Sequence, residues 1–178
     1  YNPTNNTIKQ STANKIPGNI DSYKTANGER KMIVLSDSTK IWLNVASELL
    51  VDKGFGKNNR NVYLSGEALF DVIHNESLPF VVHTDKYDVK DLGTVFNVKA
   101  YAGDKQSETS LIRGKVEIQM INSARKIFLS PNQKVVINND ESLLKEKEKS
   151  LQPLNIQVAL LPLYYDQKDS AVIDTAWS

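Results

Sequence analysis

The sequence predicts an all-β fold of about ten short, mostly antiparallel strands, wrapped as a twisted sandwich or a solenoid-like roll. Between Met32 and Ile137 the apolar residues recur at every second position, the period of a half-buried strand. The apolar runs are short, and Gly, Asp, Asn or Pro bounds each of them.

Residues 1–23 are rich in Asn, Thr, Ser, Lys and Gly and have no apolar period, so they read as a tether that ends in an edge strand near Ile20 to Tyr23. Residues 32–35 and 41–43 flank Asp37-Ser38-Thr39, whose side-chain oxygens suit a tight turn, and form a hairpin. The clearest strand follows at 62–72. Val62, Leu64, Ala68, Phe70 and Val72 fall on one of its faces, and Tyr63, Ser65, Glu67 and Asp71 on the other. Gly66 inside this run marks a bulge or a close backbone approach, so the strand should bend there.

Residues 80–82 follow Pro79, which suits the first position of a strand. Residues 87–92 lead through Gly93-Thr94 to a strand at 95–98, and 111–112 lead through Arg113-Gly114 to one at 116–120. Residues 127–129 meet Pro131-Asn132 before 135–137 close the series. The expected core comprises Val34, Leu43, Val62, Leu64, Phe70, Val72, Phe80, Val82, Phe96, Val98 and Val116. Beyond Asn139 the pattern lapses. Residues 141–152 alternate Lys and Glu, as a short helix with opposite-charge pairs or a solvated linker would. An apolar stretch at 154–165, broken by Pro162, follows it.

Composition narrows the function. Hydrophobic residues make up 40% of the 178 and charged residues 24%, as in a globular domain. A formal charge of +1 gives no global field to attract nucleic acid or an anionic membrane. There is no cysteine, hence no thiol nucleophile, thiolate zinc site or disulfide. No window approaches the roughly 20 apolar residues of a membrane span, so the chain reads as a soluble piece, and any anchor or signal would lie outside it.

Candidate chemistry is sparse. Glu67 and Asp71 share a strand face at roughly 13 Å, too far for the roughly 5–9.5 Å of glycosidase carboxylate pairs. They read as a solvated face or as an anchor for Arg60. His74 and His83 are the two histidines. His83 with Asp85, Asp88 and Asp91 can be drawn as a metal cluster, but alternation sets Asp88 opposite Asp85 and Asp91. Ser65-Gly66-Glu67 lies within a strand and lacks the elbow that exposes a nucleophilic serine. No glycine-rich phosphate loop occurs. Trp42 reads as core or as a plug at one end of the sheet. No catalytic, metal or cofactor residue is assigned.

Thr25 with Gly28-Glu29-Arg30, then Leu35, Asp37-Ser38, Ile41-Trp42-Leu43-Asn44 and Ser47 resemble the opening of FecR-type periplasmic domains, with Asp37-Ser38-Thr39 where the family has an Asp-Gly-Ser turn. The likeness continues through Arg60, Val62, Leu64, Gly66-Glu67-Ala68, Phe70-Asp71-Val72 and Pro79-Phe80-Val81-Val82. It then takes in Leu92-Gly93-Thr94, Phe96-Asn97-Val98, Leu111, Gly114, Val116 and Leu129-Ser130-Pro131-Asn132-Gln133. The ordered combination is specific, although each element alone is weak.

This resemblance implies a non-enzymatic anti-sigma regulator anchored by one inner-membrane span that would precede the chain. In the family, the periplasmic part receives a signal from a TonB-dependent outer-membrane transporter, and a cytoplasmic segment binds a sigma factor. The implied organisation is a tether at 1–24, a FecR-like β domain at 25–138, and at 139–178 a linker with the start of a truncated C-terminal module, to which Asp174 and Trp177 form the approach. Which residues bind a partner stays open. The competing expectation is a carbohydrate-binding β-sandwich with Trp42, Tyr63 or Tyr87 as stacking residues.

Overall fold

The computed structural model describes residues 20–121 and 123–138, and the backbone of a last strand at 156–160. The expectations for residues 1–19, for the Lys–Glu run and for the segment around Pro162, Asp174 and Trp177 lie outside the described residues. Among the described residues there are thirteen strands and no helix, so the fold is all-β. The first six are β1 (Ile20–Lys24), β2 (Lys31–Val34), β3 (Lys40–Leu43), β4 (Glu48–Asp52), β5 (Arg60–Asp71) and β6 (Phe80–His83). The next are β7 (Tyr87–Asp91), β8 (Val95–Ala100), β9 (Gln106–Arg113), β10 (Val116–Met120), β11 (Lys126–Leu129), β12 (Gln133–Asn138) and β13 (Ile156–Leu160).

Hydrogen bonding links the strands in the order β11-β10-β7-β6-β5-β8-β9-β12-β13. The pairs β1–β4 and β2–β3 attach to β5 through β4 and β3. Every pairing is antiparallel except β5 with β6, which is parallel from Arg60↔Phe80 to Tyr63↔His83. β5 is shared between two wings. Its first half pairs with β4 and β6, and its second half with β3 and β8.

The change of wing falls at Gly66, as its place in the strand predicts. Gly66 has φ 123°, and a Cβ there would lie 2.2 Å from Ser47 Oγ and 2.7 Å from Ser47 Cα. Only glycine allows both that backbone and that approach. Ser47 Oγ in turn accepts the Glu67 N–H at 2.9 Å, which gives the bent strand a substitute for a ladder bond.

One core lies between the wings. Phe70 stacks on Phe96 with centroids 5.1 Å apart, and Phe80 meets both Phe70 and Phe55 edge-on. Tyr87 on β7 is fully buried, and Thr109 on β9 donates to its phenol oxygen at 3.1 Å, a polar bond from one wing to the other. Of the expected core residues Val34 is the correction, because it is 56% exposed. The hairpin register pairs it with exposed Lys40, so the inward residues of β2 and the segment after it are Ile33 and Leu35. The other ten expected core residues are buried.

The largest fully buried side chain is Arg60. Its Nε and Nη2 donate to Asp37 Oδ2 at 2.8 and 2.5 Å, and Nη2 also donates to the Ile73 carbonyl at 2.8 Å. The guanidinium sits 5.5 Å from the centre of the Phe80 ring. It therefore ties the β2–β3 turn, the start of β5 and the 73–79 connection together. Asp37 also accepts the Thr39 N–H at 2.9 Å and the Thr39 hydroxyl at 3.0 Å, which holds Ser38 at φ 70° where a glycine is usual.

Candidate functional site

The structure disperses the acidic and histidine candidates. Glu67 accepts from Asn44 Nδ2 at 3.0 Å and from Asn97 Nδ2 at 2.9 Å, so both of its oxygens are engaged by amides. Asp71 accepts from Arg113 Nη2 at 3.4 Å on the exposed surface. Neither anchors Arg60. Arg60 shares the inward face with Val62 and Leu64, whereas Glu67 and Asp71 point outward; the anchor is Asp37, a turn residue that strand periodicity does not single out.

His83 and Asp88 face each other across the β6–β7 ladder, with Nδ1 to Oδ1 at 2.8 Å. Tyr63 stacks on the His83 ring at 4.8 Å. Burial, with Asp52 and Asp88 adding, raises the Tyr63 phenol above its usual range. His83 and Asp88 line a shallow groove with Asn61, Val81, Lys90 and Gln119. His74 is exposed beside Glu76, and Asp85 is exposed as well. Asp91 is buried on the opposite face, where Oδ1 accepts the Gly93 N–H at 2.9 Å. Burial raises its carboxyl pKa, against the pull of the Gly93 N–H and its neighbours. Among the described residues no group of three or more His, Asp or Glu is assembled to hold a metal. Ser65 is exposed in mid-strand, opposite Glu48.

The aromatic candidates separate in the same way. Tyr87 is entirely in the core and cannot stack on a ligand, which corrects that expectation. The Tyr63 ring is stacked on His83. Trp42 is half-buried, and it faces outward in the row Met32–Trp42–Leu69–Asn97 across β2, β3, β5 and β8.

That row belongs to a surface the sequence reading did not pick out. Met32 and Val34, 58% and 56% exposed, lie on the outer face of β2, and exposed Ile73 continues the outward parity of Leu69 and Asp71. Period-two alternation hid this patch, since Met32 and Val34 look like core residues until the register shows which side they face.

Fold and surface together define an all-β domain whose described core holds one buried arginine, with exposed Met32 and Val34 and half-buried Trp42 on its outer face. A family model described as FecR protein matches residues 21–117, and the chain belongs to the FecR family. The fold is also that of a "putative anti-sigma factor" from Parabacteroides distasonis ATCC 8503, known from two crystal structures. Both are 32% identical to this chain, with TM-scores of 0.70 and 0.69 over 89% and 88% of it. The chain covers 64% of that protein's length. No curated protein matches it.

Proposed function

We propose that this chain is the periplasmic signalling part of a FecR-like anti-sigma factor, anchored by a single inner-membrane span. In this reading it relays the ligand status of a TonB-dependent outer-membrane transporter to a cytoplasmic sigma factor, and it does so by contact, without catalysis. The observation that carries the reading is membership of the FecR family over residues 21–117. The anti-sigma description of a protein with the same fold supports it. No helix of the described residues is long and apolar enough to cross a membrane, so the anchor would be supplied by another segment.

The test uses the full-length regulator in its own cells. It should co-purify with a sigma factor, and deletion of residues 25–133 should uncouple sigma-dependent transcription from the transported ligand. A ligand response that survives the deletion unchanged would overturn the proposal.

A further inference from the structure

We infer that the groove over Val81, on the outer face of β5, β6, β7 and β10, is a binding site for a neutral saccharide. The inference goes beyond the relay reading and does not depend on it.

The sheet register builds the site. Val81 stands between Asn61 on β5 and Lys90 on β7, and Glu117 on β10 follows in the same row. His83, Asp88 and Gln119 form the next row. Leu78 and Pro79 line the groove at the other end of β6. Val81 is shorter than Asn61, Lys90 and His83, so it forms the floor. Asn61 and Lys90 stand two strands apart, which leaves a trough about 10 Å across. Its volume is about 460 Å³, within the roughly 300–1,000 Å³ of small-molecule sites.

The hydrogen-bonding capacity in the groove is open and mixed. The Asn61 carboxamide, a donor and an acceptor, has no partner among the described residues, and neither has the Lys90 ammonium. Asp88 uses Oδ1 for His83, and Glu117 uses Oε1 for Lys126 at 2.7 Å, so one oxygen of each carboxylate stays open. In the neutral imidazole of His83 the proton lies on Nδ1, toward Asp88, and Nε2 is a further acceptor. Tyr63, stacked on the ring, holds it in place before any ligand arrives.

This lining selects the ligand. The carboxylates Asp88 and Glu117 are balanced by the ammonium groups of Lys90 and Lys126, and Arg60 is matched by Asp37. The groove therefore carries no strong field of either sign to favour an ion. An apolar ligand would cover the open polar groups without pairing them. An extended peptide finds no backbone to pair with, because β6 and β7 are hydrogen-bonded on both edges. A saccharide satisfies all three conditions. Each of its hydroxyls both donates and accepts, and its C–H face can rest on Val81 and Pro79. Trp42 and Tyr87 take no part in this site.

The test titrates the chain with neutral tetrasaccharides of glucose, mannose, galactose, xylose and N-acetylglucosamine, and with the acidic tetramer of mannuronate. Backbone amide signals are followed throughout. At millimolar concentration at least one neutral sugar should give saturable shifts at Asn61, Val81, His83 and Lys90. Val81→Phe fills the trough and Asn61→Ala removes the open carboxamide, and each should weaken that sugar at least tenfold. If Val81→Phe melts early, Lys90→Ala is measured in its place, with the same expected loss. No saturable shift with any neutral sugar, or shifts confined to other faces, would overturn the inference. So would mannuronate binding as tightly as the best neutral sugar, or unchanged affinity in the variants.

Discussion

Arg60 and Asp37 form a buried ion pair in which two guanidinium nitrogens converge on a single carboxylate oxygen, at 2.8 and 2.5 Å. Arg60 is 1% exposed, so loss of its partner leaves a charge that water cannot reach. Asp37→Ala should cost roughly 3–5 kcal/mol, the range for breaking a buried pair on one side. Asp37→Asn keeps an acceptor for the turn and should cost less. Urea unfolding checks this: the midpoint should fall in the order wild type, Asn, Ala, with little change in slope.

Gly66 and Gly28 separate two causes of glycine dependence. Both have positive φ, but a Cβ at Gly28 meets nothing within 4 Å, whereas at Gly66 it would collide with Ser47. Gly28→Ala should therefore cost only the conformational term, about 1 kcal/mol. Gly66→Ala should cost clearly more and disturb the β4–β5 contact. Equal melting temperatures for the two variants would contradict the close approach.

Asp91 should make stability pH-dependent in a defined direction. Its carboxyl pKa is raised in the folded protein, so the folded state holds the proton more tightly than the unfolded chain does. The stabilisation from that proton is fully present below the unfolded value of 3.8 and is lost as pH rises through the folded pKa. Asp91→Asn keeps the Oδ1 acceptor for Gly93 and removes the buried charge. The variant should gain most over wild type at neutral pH, and its advantage should shrink on acidification. Denaturant unfolding at a series of pH values measures that difference directly.

The Tyr87–Thr109 bond joins the wings through the core. Tyr87→Phe keeps the ring and removes the acceptor, so Thr109 loses its partner at a cost of about 1 kcal/mol. Thr109→Val in the same background should recover part of that cost, because no buried hydroxyl is then left unpaired. A double-mutant cycle reads the coupling.

Strand-by-strand, much of the fold was legible. The hairpin around Asp37, the long strand broken at Gly66 and the strand after Pro79 all stand where period two and turn chemistry place them. β4 escaped notice because Leu49, Leu50 and Val51 are all apolar, which masks the alternation of buried Leu49 and Val51 with half-buried Leu50. The surface was less legible. A period of two says which residues share a face, but not which face looks inward once strands from distant parts of the chain pair.

By itself, then, the sequence determined the β class, the site of the bend and the absence of cysteine chemistry, because these depend on local alternation, glycine and residue type. Only the tertiary structure decided that Asp37, and not Glu67 or Asp71, holds Arg60, that Tyr87 belongs to the core, and that Val34 faces solvent. Each of those outcomes turns on the register between strands, and register is set by long-range pairing that no local pattern encodes.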